Sequence, residues 1–111
     1  MFTLAHVGVN AASEQESLAI ARLFAALFDV PVKEGNSSNF ADNLVEVMKT
    51  PYRGKNGHIA IGTPDVAAAE QVLLARGFAC DPKTAKEKNG ERVAIYLQDE
   101  IGGFAVHLLK I

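Results

Sequence analysis

The stretch that decides the fold is GHIAIGTPD at residues 57–65, a predicted strand that runs directly into a helix start. The residues after His58 alternate in size as in a half-buried β-strand, and Thr63 followed by Pro64 is typical of a helix N-terminus. Residues 5–10, AHVGVN, repeat the pattern of a histidine, alternating residues and a polar turn. Two such units in one short chain indicate an internal duplication.

The size and composition of the chain indicate one globular domain over residues 1–111. Hydrophobic residues make up 49% of it and charged residues 22%, and 111 residues are too few for two independent cores. A formal net charge of -2 gives no basic surface for nucleic acid, and no apolar run is long enough to span a membrane. The single cysteine, Cys80, and the lack of a charged secretory start favour the cytoplasm.

Each half of the chain predicts the order strand, helix, strand, strand, strand, with module 1 at about residues 1–50 and module 2 at about residues 56–111. A capping box at residues 13–16 begins the first helix, and Thr63 is expected to cap the second, which Gly77 ends. The buried stripe of the first helix is predicted to be Ile20, Leu23, Phe24, Leu27 and Phe28.

The strands of the second half are expected at residues 58–62, 78–81, 92–99 and 104–111. In the first half, the polar run at residues 36–39 is compatible both with a turn and with the lining of a pocket.

Three histidines and one glutamate on predicted strands are candidate metal ligands. His6 and His58 lie on the first strand of each half, and Glu46 and His107 lie on the last. Imidazole nitrogen and carboxylate oxygen suit first-row divalent metals. A single strand histidine is more often a hydrogen-bonded core residue, but the joint placement of these residues favours a metal site.

The residues beside these candidates are consistent with a site on one face of the sheet. Glu46 shares a face with Leu44 and Met48, where an unpaired charge is costly and a nearby cation would remove the cost. Small residues next to the histidines, Gly8 and Gly62 among them, are expected to leave open space above a metal ion.

Candidate residues for catalysis and substrate binding surround these ligands. Tyr96 is expected to face the site as a proton donor, and Glu46 is the one carboxylate there that is available as a base. Arg92 is predicted to face the site, while Arg53 and Lys55 precede the His58 strand. The three basic residues can bind an anionic substrate or can be solvated surface residues.

The chain resembles the vicinal oxygen chelate superfamily, which includes glyoxalase I, methylmalonyl-CoA epimerase, fosfomycin-resistance proteins and extradiol dioxygenases, over essentially all its length. The matching stretches are residues 4–7 (LAHV), 44–47 (LVEV), 57–61 (GHIAI) and 104–109 (FAVHLL). The resemblance implies an α+β fold in which two βαβββ modules form a cupped, mostly antiparallel eight-stranded sheet with the helices outside. It also implies a divalent metal ion (zinc, nickel, cobalt, manganese or iron) held by His6, Glu46, His58 and His107.

Three further stretches, residues 34–38, 53–58 and 100–104, resemble a small bacterial subgroup labelled as, or fused to, 2-keto-3-deoxy-6-phosphogluconate aldolase. The chain is far too short to form the (β/α)8 barrel of the aldolase itself. The resemblance therefore implies that the chain is associated with an aldolase. Glyoxalase I usually has glutamate at the fourth ligand position, where this chain has His107.

Several functions are compatible with this resemblance, and it leaves open whether the chain is an enzyme. The preferred one is a homodimeric, metal-dependent lyase or isomerase that acts on a small keto- or hydroxy-acid through a metal-stabilised enolate. The alternative is a noncatalytic module that binds metal or a small ligand and accompanies a sugar-acid aldolase, which His107 favours. Extradiol ring cleavage is a third possibility, disfavoured by a fourth ligand.

Overall fold

Eight strands form one mixed sheet in the computed structural model, which describes residues 1–111. The strands are β1 (Thr3–Asn10), β2 (Val32–Glu34), β3 (Ser38–Ala41), β4 (Val45–Met48), β5 (Gly57–Thr63), β6 (Lys86–Lys88), β7 (Glu91–Tyr96) and β8 (Phe104–Lys110). The helices are α1 (Glu14–Phe28) and α2 (Val66–Ala75), and a single 3-10 turn spans Pro82–Thr84. The expected α+β fold class is confirmed.

The strand order is β2-β3-β4-β1-β5-β8-β7-β6, so each half of the chain contributes four adjacent strands. β1 pairs with β4 and β5 with β8 in parallel, whereas β1 and β5 pair antiparallel where the halves meet. The remaining pairs are antiparallel. The first and last strands of both halves are therefore the four central strands of the sheet.

Helix α1 begins as the capping box predicts. The Ser13 hydroxyl accepts a hydrogen bond from the Glu16 backbone N–H at 3.1 Å, and the Glu16 carboxylate accepts one from the Ala12 N–H at 3.0 Å. Such bonds satisfy N–H groups that have no partner inside the helix. The helix ends at Asp29, whose left-handed φ of 56° stops the helical repeat.

The buried face of α1 differs from the predicted stripe. The residues buried against the sheet are the small side chains Ser17, Ala21 and Ala25, whereas Leu23 and Leu27 are each 72% exposed. Small residues allow the helix axis to approach the sheet closely, so the larger apolar side chains lie at the edge of the contact or in solvent. The prediction is confirmed for Ile20 and Phe24, which pack against the core, and wrong for the exposed Leu23, Leu27 and Phe28. Helical spacing alone does not show which of two adjacent apolar stripes faces the core.

Helix α2 begins two residues later than expected. Asp65, not Thr63, is the N-cap, and its carboxylate accepts a hydrogen bond from the Ala68 N–H at 3.0 Å. Thr63 is the last residue of β5. The end of the helix is as predicted, since Gly77 adopts a φ of +91° just beyond it.

The strand expected at residues 78–81 is absent. Only Cys80 makes an isolated bridge to Leu97, and Asp81 instead caps the 3-10 turn that starts at Pro82. Proline has no N–H to donate and its fixed φ suits the first position of a helical turn, so the chain turns here. The edge strand of this half is β6.

A β-bulge in β7 changes the direction of Arg92. Lys86 pairs with Ala94 and Glu87 with Arg92, so Val93 is an extra residue in the ladder. A bulge shifts the alternation of side chains by one position. Arg92 consequently points toward α2, where its guanidinium donates a hydrogen bond to the Glu70 carboxylate at 2.8 Å. Because of the bulge, the expectation that Arg92 faces the candidate site is wrong.

Two small hydrophobic cores lie between the sheet and the helices. The first, under α1, consists of Ala11, Ala21, Ala25, Ala41, Val45 and Val47. The second, under α2, consists of Val66, Ala69, Ile95 and Leu108. Both cores are on the helix side, so the opposite face of the sheet is available for polar side chains. Neither helix has the length and apolar character needed to cross a membrane.

Candidate metal centre

Glu46 and His58 lie in one row of side chains across the face opposite the helices. Glu46 on β4 is aligned with Gly8 on β1, and Gly8 with His58 on β5. A Cβ atom at Gly8 would overlap the His58 ring, which therefore occupies the space above this glycine. A Cβ at Gly62 would similarly meet Ile111 at 2.9 Å. The expectation that these glycines leave open space above a metal ion is wrong, because each glycine makes room for another side chain.

His6 and His107 lie in the next row, on either side of the small residue Ala60. His6 on β1 is aligned with Ala60 on β5, and Ala60 with His107 on β8. Tyr96 on β7 continues the row, and its ring stacks on His107 with the centroids 4.7 Å apart. The strand registers thus bring all four predicted ligands together within a single chain.

Three of the candidate ligand atoms form a compact triangle. His58 Nε2 lies 3.0 Å from Glu46 Oε1, His6 Nε2 lies 3.3 Å from the same oxygen, and the two Nε2 atoms are 3.2 Å apart. Two ligand atoms on one first-row ion, each about 2.1 Å from it, are about 3.0–3.4 Å apart in octahedral or tetrahedral geometry. The three atoms therefore fit a shared divalent ion.

His107 adds a fourth candidate ligand beside the triangle. Its ring is buried and neither ring nitrogen has a hydrogen-bond partner, although buried polar atoms are normally satisfied. Burial, with smaller contributions from His58 and His6, lowers the pKa of His107 to about 4. The ring is then neutral at pH 7, which is the form that binds metals. Ring nitrogens of the three histidines all lie within 4.8 Å of one another.

Glu46 is held as a carboxylate by the groups around it. Burial alone raises its pKa, but hydrogen bonds with His58, His6 and Ser38 outweigh burial and hold the pKa of Glu46 well below its usual range. The Ser38 hydroxyl donates to Oε2 at 2.7 Å, while Oε1 faces the two imidazoles. With both oxygens engaged, Glu46 is better suited to bind a metal than to act as a base.

Replacing Ser38 by alanine is expected to weaken metal binding about tenfold. Loss of the hydroxyl leaves Glu46 Oε2 without its donor and raises the pKa of the carboxyl group, and partners of metal ligands typically change affinity by about 10- to 100-fold. Competition with a chromophoric zinc chelator measures the change. Ser37→Ala is the matched control, because Ser37 lines the same cavity but is exposed and makes no bond to Glu46. Equal affinities in the two variants would contradict a role for Ser38.

A cavity of about 310 Å³ lies over these residues, large enough for a small organic molecule. Its lining consists of His6, Ser37, Glu46, Met48, Tyr52, His58, Lys86, Tyr96, His107 and Leu109. Among the lining residues that were not predicted as site residues, Met48 could have been found from the sequence. It lies two residues after Glu46 and therefore on the same face of the strand. Tyr52 and Lys86 lie in turn-rich segments, and nothing in the sequence pattern singles them out.

Arg53 lies against the ring of Tyr96, one of the residues that line this cavity. The Arg53 guanidinium is 5.0 Å from the centre of the Tyr96 ring and 5.9 Å from that of Tyr52, within the range of cation–π contact. Burial, reinforced by Tyr52, raises the pKa of Tyr96 to about 12, so its hydroxyl keeps its proton and can donate a hydrogen bond. Arg53 also lines a neighbouring cavity of about 240 Å³ that shares Tyr96 with the first.

The segment that carries Tyr52 and Arg53 between the two halves is tied down by one side chain. The Asn10 amide donates to the Gly54 carbonyl at 2.9 Å and accepts from the Tyr52 N–H at 3.2 Å. Lys55, in the same segment, lines neither cavity, and its backbone N–H donates to Glu100. Of the three basic residues predicted for the site, only Arg53 contacts a residue that lines the cavity, Tyr96.

Solved structures with the same fold are found, although no protein-family model and no curated protein sequence matches the chain. A hypothetical protein from Bacillus halodurans is 14% identical, with a TM-score of 0.66 over 99% of this chain and 94% of that one. Methylmalonyl-CoA epimerase from Mycobacterium tuberculosis is 16% identical, with a TM-score of 0.62 over 96% and 86%. The chain shares the fold of these proteins.

A third structure is a Streptomyces coelicolor methylmalonyl-CoA epimerase variant in complex with 2-nitronate-propionyl-CoA. It is 16% identical, with a TM-score of 0.64 over 97% of this chain and 93% of that one. At such identities the likeness shows the shared fold alone.

Proposed function

We propose that the chain is a metal-dependent isomerase or lyase of the glyoxalase type that acts on a small keto- or hydroxy-acid. The observation that carries this proposal is the triangle of His6 Nε2, His58 Nε2 and Glu46 Oε1 at the base of the cavity, with the unpaired His107 ring beside it. The occurrence of epimerases among the structural neighbours supports an isomerase-type activity.

In this proposal His6, Glu46, His58 and His107 hold a divalent ion: zinc, nickel, cobalt, manganese or iron. A bound ion supplies positive charge that stabilises the enolate formed when a proton leaves the carbon next to a carbonyl group.

Tyr96 and Arg53 favour binding of an acid. The protonated Tyr96 hydroxyl donates a hydrogen bond to a substrate oxygen, and Arg53, 5.0 Å from the centre of the Tyr96 ring, adds positive charge beside the cavity. Glu46 accepts a proton only if one of its two engaged oxygens is released, so its role as the base demands a change at the site.

Exchange of the substrate's α-proton tests the proposal more directly than turnover does. Zinc-loaded protein is incubated in D2O with a panel of 2-keto- and 2-hydroxy-acids, and NMR follows loss of the α-proton signal. At least one acid is expected to exchange faster with the wild-type protein than with Tyr96→Phe, and not at all above background with His58→Ala. No exchange with any acid would contradict enolate chemistry at this site.

The alternative is a noncatalytic module that binds metal or a small ligand, associated with a sugar-acid aldolase as the subgroup resemblance implies. The observation that favours it is the lack of a free carboxylate in the cavity, because Glu46 is engaged through both oxygens. Tight binding of an acid to the zinc-loaded protein without α-proton exchange would support this alternative.

We further propose that the chain is one domain, residues 1–111, built from modules at about 1–50 and 56–111, and that it is a cytoplasmic homodimer. The exposed leucines of α1, Leu23 and Leu27, support association, since large exposed apolar side chains are frequent at interfaces. Multi-angle light scattering distinguishes a dimer from a monomer of 11.9 kDa.

A further inference from the structure

The cavity is also lined by a cationic side chain that has no part in the set of metal ligands. Lys86 lines the cavity from the edge strand β6, and its ammonium group makes no ion pair or hydrogen bond. The basic residues on the adjacent strands, in contrast, are paired: Arg92 with Glu70, and Lys110 with Glu91. Lys86 is therefore available to an anionic ligand.

The strand registers separate Lys86 from the ligands by a distance that a small molecule can span. Lys86 pairs with Ala94 on β7, which pairs with Leu109 on β8, two residues beyond His107. Two strand spacings put β6 about 10 Å from β8. A lysine side chain extends about 6 Å, so its ammonium group can approach the ligands to within the length of a short acid.

The charges of the cavity are arranged in two separate places. An ion with three neutral imidazoles and the Glu46 carboxylate keeps net positive charge at one side, and Lys86 supplies a single positive charge at the other. Lys86 is the one lysine or arginine among the residues that line the cavity. A single ammonium group matches the single charge of a carboxylate better than the double charge of a phosphate.

We propose that Lys86 binds a second carboxylate of the substrate, so that the substrate class is an oxo- or hydroxy-dicarboxylate. The acid's first carboxylate and its neighbouring oxygen lie at the metal side, and the second carboxylate pairs with Lys86. This inference rests on the proposed function, because binding of the first carboxylate at the metal side determines that the second carboxylate points toward Lys86.

Paired ligands of equal chain length test the role of Lys86. Calorimetry measures the binding of 2-oxoglutarate and of 2-oxopentanoate, which lacks the second carboxylate, to zinc-loaded protein whose zinc content is first determined by elemental analysis. Wild-type protein is expected to prefer 2-oxoglutarate about two- to fivefold, as for an ion pair with an exposed lysine. Lys86→Gln is expected to remove this preference and leave the affinity for 2-oxopentanoate and the zinc content unchanged.

Lys88→Gln is the matched control, since Lys88 lies on the same strand but lines a surface depression outside this cavity. It is expected to keep the preference for 2-oxoglutarate. The proposal is overturned if Lys86→Gln keeps the preference, or if Arg53→Gln removes it in place of Lys86→Gln. A wild-type protein that takes up none of zinc, nickel, cobalt, manganese and iron overturns the proposed function and this inference together, whereas bound metal without any preference overturns the inference alone.

Discussion

Replacing His58 by alanine is expected to lower zinc affinity by at least about 100-fold. His58 Nε2 contacts both other members of the ligand triangle, Glu46 Oε1 at 3.0 Å and His6 Nε2 at 3.2 Å, so its loss removes a ligand and the contact that aligns the remaining two. Partners outside the ligand set already change affinity by about 10- to 100-fold, and a ligand itself is expected to exceed that range. Elemental analysis and chelator competition measure the loss.

The same variant separates metal binding from folding. Free zinc at about 100 times its Kd is expected to raise the Tm of the wild-type protein by roughly 10 °C and to leave that of His58→Ala unchanged. Asn39→Ala is the control for general destabilisation, because Asn39 is buried and bonded to Ser17 on the helix side of the sheet. Asn39→Ala is expected to lower the Tm of the metal-free protein and to retain zinc. A His58→Ala protein that binds zinc as tightly as the wild type would remove the basis for the metal centre.

Replacing Gly8 by alanine is expected to destabilise the protein by about 1–3 kcal/mol, as overpacking of a filled site does. The added Cβ would overlap the His58 ring, which then has to move. Displacement of the ring also breaks the ligand triangle, so both the zinc affinity and the stability of the variant are expected to fall. Denaturant unfolding of the metal-free protein measures the first effect and chelator competition the second.

A double-mutant cycle shows whether the His58 ring causes this cost. The His58→Ala background lacks the ring atoms nearest to the added Cβ, and Gly8 does not adopt a positive φ, so alanine there is expected to cost nothing or to stabilise slightly. Gly62→Ala is the control, because its Cβ would meet Ile111 and Thr3 and its cost is expected to be the same in both backgrounds. An unchanged cost of Gly8→Ala in the His58→Ala background would contradict the packing of His58 over Gly8.

The features of the fold that follow local rules were predictable from the sequence. The duplicated strand-to-helix pattern indicated the two halves of the sheet, and the Ser13 box located the start of α1 because capping depends on residues close in sequence. Features that depend on tertiary packing were not predictable. The outward direction of Leu23 depends on how α1 packs against the sheet. The bulge at Val93 depends on how β7 pairs with β6. The alternation of residues along one element does not contain this information.

The candidate site was predictable to the level of its histidines and Glu46, since rare residue types recur there at equivalent places of a repeat. Its supporting residues were less visible. Ser38 lies in a polar run that is equally typical of a turn, and only the register of β3 against β4 brings its hydroxyl to the Glu46 carboxylate. Lys86 is one of several charged residues in a hairpin, and strand pairing alone distinguishes it from Lys88.

The two hydrogen bonds of Asn10 have a consequence for how tightly a ligand can bind beside Tyr52. They hold the backbone of the segment that carries Tyr52 and Arg53 in the free protein. Ordering of this backbone therefore adds little entropic cost when a ligand contacts Tyr52, which lines the cavity.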